Sequence, residues 1–152
     1  MAREKKWGNF PVTESVESAF EAGKSDIEGL AEEMSSWRDN MSGTSLENTE
    51  KYQTVEEAAN TLENAQNSLD QIEIPEKMLE EKVTFNEVRK KGYPRWVRLS
   101  NATAALQAVA DLLHEKGEAD NASEEEQAMT DAADKIQAAI DEVEGVDFPG
   151  MF

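Results

Sequence analysis

Residues 13–41 read TESVESAFEAGKSDIEGLAEEMSSWRDNM. Val16, Phe20, Gly23, Ile27, Leu30, Met34, Trp37 and Met41 recur at alternating intervals of four and three. That spacing places them on one stripe of a helix, as in a heptad seam. Asp and Glu fill the positions between them. The pattern predicts a first helix over about 13–41, with Thr13 as its N-cap after Pro11. Gly23 within the stripe costs about 1 kcal/mol against alanine. Its place there implies that a helix or a bulky side chain approaches closely.

Ser42-Gly43 interrupts the pattern, and Thr44-Ser45-Leu46-Glu47 has the form of a capping box. A second helix is predicted over about 45–72, with Tyr52, Val55, Ala59, Leu62, Gln66 and Leu69 on its inner stripe. So short a connection implies an antiparallel helical hairpin. Ile74-Pro75 ends it, and Pro75 suits the opening of a short helix.

Residues 83–88 read VTFNEV, which has strand character but no evident partner, a small hairpin with 96–99 being the alternative. The preferred reading of 73–93 is an irregular basic connector. A third helix follows over about 94–116, with Trp96, Leu99, Ala102, Leu106, Val109 and Leu113 inward and Gly117 as a C-terminal cap. Ser123-Glu124-Glu125-Glu126 is a second capping box. It opens a fourth helix over about 123–144 carrying Met129, Ala133, Ile136, Ile140 and Val143. Each half thus consists of a helix pair whose second member is boxed. The expectation is an all-α, four-helix bundle-like fold. It forms one acidic domain over 1–152, with a short arm (1–12) and an apolar tail (145–152).

The chain carries a formal net charge of −18 on 152 residues. Such an excess repels nucleic acid and anionic lipid and attracts basic surfaces. Salt adaptation would explain the acidity, but lysine still supplies most of the cations. There is no cysteine, which removes disulfides, thiolate nucleophiles and cysteine-ligated zinc. No stretch approaches the roughly 20 apolar residues of a membrane span, and Met1–Lys6 leads to no apolar segment of a secretory signal. A cytoplasmic protein is expected.

Chemical motifs are few. His114 is the only histidine, so Asp111-x-x-His114 lacks the second such motif that a di-iron bundle needs. Its simplest role is to complement the dipole in the last turn of the third helix. There is no nucleophile elbow, phosphate loop or calcium loop. Neither a cofactor nor a metal is expected, and the protein reads as a non-enzyme.

Two surfaces remain. The first is an acidic face made of Glu28, Glu32, Glu33, Asp39, Glu56, Glu57, Glu63 and Asp70, with Glu124, Glu125, Glu126 and Asp131 as a second patch. The second is a basic-aromatic segment of Arg89, Lys90, Lys91, Tyr93, Arg95, Trp96 and Arg98, without an acid among them. The favoured reading docks these cations on the chain's own acidic helices. Nucleic-acid binding and docking onto another copy are the alternatives. Cations opening the third helix oppose its dipole, so a nearby acid should compensate. Trp7, Phe10, Phe148, Met151 and Phe152 make both chain ends apolar, for packing across the bundle's open end or for anchoring in a partner.

The stretch Leu30-Ala31-Glu32-Glu33-Met34-Ser35-Ser36-Trp37-Arg38-Asp39-Asn40, followed after a turn by Glu50-Lys51-Tyr52, resembles a helical hairpin of small uncharacterised acidic proteins of tailed phages. The resemblance covers the first half of the chain. It implies a phage origin, hence a host cytoplasm or a virion as the setting, and it lends no activity or site. Charge and resemblance together suggest a DNA-mimic type inhibitor of a host DNA-binding or defence protein. The alternative is a structural or adaptor subunit of a virion or other assembly. The partner would be a protein with a basic surface, or further copies of the chain.

Overall fold

The computed structural model describes residues 8–44, 46–47, 49–118, 124–146 and 148. Among them are four α-helices: α1 (Val16–Met41), α2 (Glu50–Asp70), α3 (Arg95–Glu118) and α4 (Glu124–Glu144). They are joined by a two-stranded antiparallel sheet of β1 (Gly8–Ser15) and β2 (Lys82–Arg89). The fold is therefore mostly helical and not all-α. The expected arm and the first residues assigned to the first helix form β1. Much of the expected connector forms β2. Val12 pairs with Phe85, Phe10 with Glu87 and Glu14 with Val83. A two-stranded ribbon has only edge strands, where Pro11 is tolerated.

The helix starts shift accordingly. Ser15, not Thr13, caps α1, its hydroxyl accepting from the Ser18 amide at 3.1 Å. Thr49 caps α2 by accepting from the Tyr52 amide at 3.1 Å. Thr44 and Glu47 do make box-like contacts, with the Leu46 and Gly43 amides, but these shape the turn before α2. Pro75 opens a single 3-10 turn, Glu76–Met78. The amides of Val16 and Glu17 donate to the carbonyls of Glu81 and Leu79. The open N-terminal donors of α1 are thus met by the segment that leads into β2.

α1 packs on α2 and α3, and α4 packs on α3 and α2. Most of the predicted inner residues are buried, including Leu62, Leu106 and Ile136, and no described polar or charged residue is. Trp96, expected inward, is instead 53% exposed, and Trp37 departs from this too. It is only partly buried, with the Arg95 guanidinium 5.1 Å and the Lys51 ammonium 5.5 Å from its ring centre. Gly117 also departs, since it is buried inside α3 against α4, where an added methyl would meet Glu126 and Thr130. It serves close packing, not capping.

The element order is one β-α-α unit used twice. An antiparallel ribbon between the two strands, and helices α1 and α3 side by side, are what an approximate two-fold axis between the units produces. At the α1–α3 crossing a methyl on Gly23 would lie 2.7 Å from Leu106 Cγ and 3.1 Å from the Ala102 carbonyl oxygen.

Candidate functional site

The acids predicted as one face divide by their contacts. Glu28, Glu32, Glu57, Glu124 and Asp131 are exposed. The others are engaged within the fold. Asp39 lies 3.4 Å from Arg38, and Asp70 lies 3.6 Å from Lys24. Glu56 accepts from the Tyr52 hydroxyl at 3.2 Å. Glu63 accepts from Ser35 and lies 4.0 Å from Arg38. Glu126 is half-buried where α4 meets Gly117. The side chain of Glu125 lies outside the described residues.

Glu33 has the most elaborate setting. It accepts from Arg98 through both carboxylate oxygens, at 2.7 Å for the Nη2 bond, and from Arg95 at 3.3 Å. These forked bonds are the geometry that arginine favours with a carboxylate. They also bring an acid from α1 to the start of α3, where the dipole calls for one. The Arg98 hydrogen bond holds the Glu33 carboxyl below its ordinary range, against an opposing effect of burial, with the charges of Arg98 and Arg95 assisting. A lowered carboxyl favours folding above its unfolded pKa, and the benefit vanishes as pH falls through the folded value. Glu33→Gln should therefore unfold more easily than the parent near neutrality. The gap should close in acid, as a pH series of urea melts would record.

The basic-aromatic segment is correspondingly divided. Arg95 and Arg98 are held on Glu33. Arg89 lies 3.7 Å from Glu87 and 4.3 Å above the Phe10 ring. Lys90 lies 4.9 Å from the ring centre of Trp96, which is 53% exposed. Lys91 and Tyr93 are exposed, and Tyr93 takes a positive φ of 42°. A left-handed backbone at a bulky residue is uncommon, and it occurs here in the turn that leads into α3. Of the apolar chain ends, Phe10 is in β1 and Phe148 packs against the core. Trp7, Met151 and Phe152 lie outside the described residues. His114 meets Asp134 of α4 at 2.7 Å, while Asp111 accepts from Gln107.

The inward face of the ribbon forms a feature the sequence reading missed. Phe10, Val12 and Glu14 alternate inward on β1, as do Val83, Phe85 and Glu87 on β2. Beneath them a cleft of about 330 Å³ opens between the ribbon, α1 and α3. Glu14, Asp26, Phe85, Glu87, Tyr93 and Arg98 line it. Asn101 fixes one wall by bonding both the amide and the carbonyl of Val88, at 2.8 and 2.9 Å. One oxygen of Glu14 is buried and has no hydrogen-bond partner, and the same is true of Arg98 Nε.

Asp26 is exposed as a residue, yet burial of its carboxyl raises its pKa. Arg98 opposes that rise and Glu87 adds to it. A raised carboxyl prefers its proton in the folded state, so ionising it at higher pH costs stability that falling pH restores. Asp26→Asn is expected to raise the melting temperature modestly at neutral pH and to lose that advantage in acid.

No protein-family model matches the chain, and no curated protein or solved structure does. Among the described residues no helix is long and apolar enough to cross a membrane.

Proposed function

We propose that this chain is a non-enzymatic anionic binding protein whose partner is a protein with a basic surface of the DNA-binding type. The observation that carries the reading is a set of exposed carboxylates for which no cation partner lies among the described residues. Glu28 and Glu32 lie on α1, Glu57 on α2 and Asp131 on α4, on a chain of net charge −18. α1 is about 39 Å long at 1.5 Å per residue. Duplex DNA presents one charge per about 1.7 Å of axis, so a rod of this length spans a duplex-sized basic groove. The resemblance of the first half to tailed-phage proteins agrees with an inhibitor acting in a host cytoplasm on a DNA-binding or defence protein.

The test is capture of basic DNA-binding proteins from a host lysate. Retention should fall with salt, be competed by duplex DNA, and weaken on combining Glu28→Gln, Glu32→Gln and Glu57→Gln. Capture indifferent to duplex DNA would reject the reading. A second reading, as a structural or adaptor subunit, is favoured by the exposed Trp96 and Tyr93 beside Lys90 and Lys91. It predicts discrete oligomers on sizing, weakened by removing Phe148–Phe152.

A further inference from the structure

Inward positions of a half-buried strand normally carry apolar side chains. Glu14 and Glu87 break that rule on adjacent strands, and both open into the cleft under the ribbon. Leaving a buried carboxylate oxygen unmatched costs on the order of 1–3 kcal/mol or more. Glu14 has such an oxygen. Violations of this kind, retained against local preference, mark positions where something else is to be bound.

The cleft's chemistry narrows the ligand. Glu14, Asp26 and Glu87 supply negative charge. The forked end of Arg98 is engaged by Glu33, and Arg89 lies beside Glu87 and above the Phe10 ring. The balance toward the cleft is therefore anionic. Among the described residues no three carboxylate or imidazole groups come together closely enough to hold a metal ion. A broader cation with several donors fits the separation better. Phe85 and Tyr93 are among the lining residues, and aromatic rings attract guanidinium by cation–π contact and stacking. The volume of about 330 Å³ lies at the small end of ligand pockets, near 300–1,000 Å³. It suits one side chain and not a helix.

We propose that the cleft between the ribbon, α1 and α3 receives the guanidinium of one arginine side chain presented by the basic protein partner. The inference rests on the proposed function for its partner. Its test does not. The whole chain is titrated with N-acetyl-arginine amide at low salt and followed by amide NMR shifts. Saturable shifts are expected at Glu14, Gly23, Asp26 and Phe85, with affinity at least tenfold weaker in Glu14→Gln. Asp26→Asn provides the same comparison on α1 if the strand variant does not fold.

Three results would overturn the proposal. One is shifts that never saturate and spread along the outer faces of α1 and α2. Another is equal affinity in folded Glu14→Gln. The third is tighter saturation of the cleft by spermidine or N-acetyl-lysine amide than by the arginine probe. Neutralising Glu28, Glu32 and Glu57 should weaken partner capture while leaving the arginine titration unchanged, so failure of either reading is visible by itself.

Discussion

Leu106→Ala is expected to remove about 2–5 kcal/mol of folding stability, the range for deleting a buried leucine. Leu106 is completely buried and reaches across the crossing of α1 and α3 to Gly23. A methyl on Gly23 would stand 2.7 Å from Leu106 Cγ, inside the contact distance of two carbons. Gly23→Ala alone should therefore cost about 1–3 kcal/mol of overpacking, offset by about 1 kcal/mol of helix propensity. In the Leu106→Ala background that Cγ is gone and the new methyl fills part of the vacated space. The second change should then cost less than in the parent, with the Ala102 carbonyl oxygen, 3.1 Å away, as the remaining tight contact. Denaturant unfolding of the parent, both single variants and the double variant measures the coupling, expected at about 1–3 kcal/mol. Strict additivity would mean that the two helices do not meet through this pair.

Gly117→Ala carries the next largest expected effect. The added methyl would collide with the Thr130 hydroxyl and stand 2.9 Å from the Glu126 carbonyl oxygen. The hydroxyl is already held on that same carbonyl at 3.2 Å, so it cannot swing away without losing a bond. The carbonyl belongs to the backbone of α4 and yields only if the helices part. A loss of about 1–3 kcal/mol is expected. In a chain of this size that lowers the melting temperature by about 2–4 °C for each kcal/mol. Thr130→Ala should restore only part of the loss, because the backbone contact persists. An unchanged thermal melt would show that α3 and α4 stand farther apart than described.

The helices were legible because their apolar stripes repeat over many turns. Val16 to Met34 on α1, and Met129 to Val143 on α4, are buried as their spacing implies. The ribbon was hidden for a different reason. Gly8–Ser15 contains a proline and an inward glutamate, and Lys82–Arg89 also mixes inward charge with apolar residues. Neither strand reads clearly alone. Their pairing becomes evident only when segments far apart in sequence are laid side by side, as with Val12 and Phe85. The cleft was illegible with them, because Glu14 and Glu87 count as inward residues only once the register is known.

The acids show a similar limit. Their periodicity places them off the core, but it cannot say which are paired. Glu33 finds Arg95 and Arg98 at separations of 62 and 65 residues, and no local rule connects them. The same is true of Gly117. A glycine near a helix end signals a cap in most sequences, and here it is the neighbouring helix that demands it.

The ribbon also sets the order in which the molecule is finished as it leaves the ribosome. β1 is among the first described segments to be synthesised, and its complement is made only after all of α1 and α2. The carbonyls of Leu79 and Glu81 that receive the first amides of α1 arrive equally late. Until Arg89 has emerged, a nascent chain bears a strand with an open edge and a helix with an unsatisfied start. A stalled or truncated product ending before Lys82 would keep both exposed. Its hazard would be pairing with a neighbouring nascent strand.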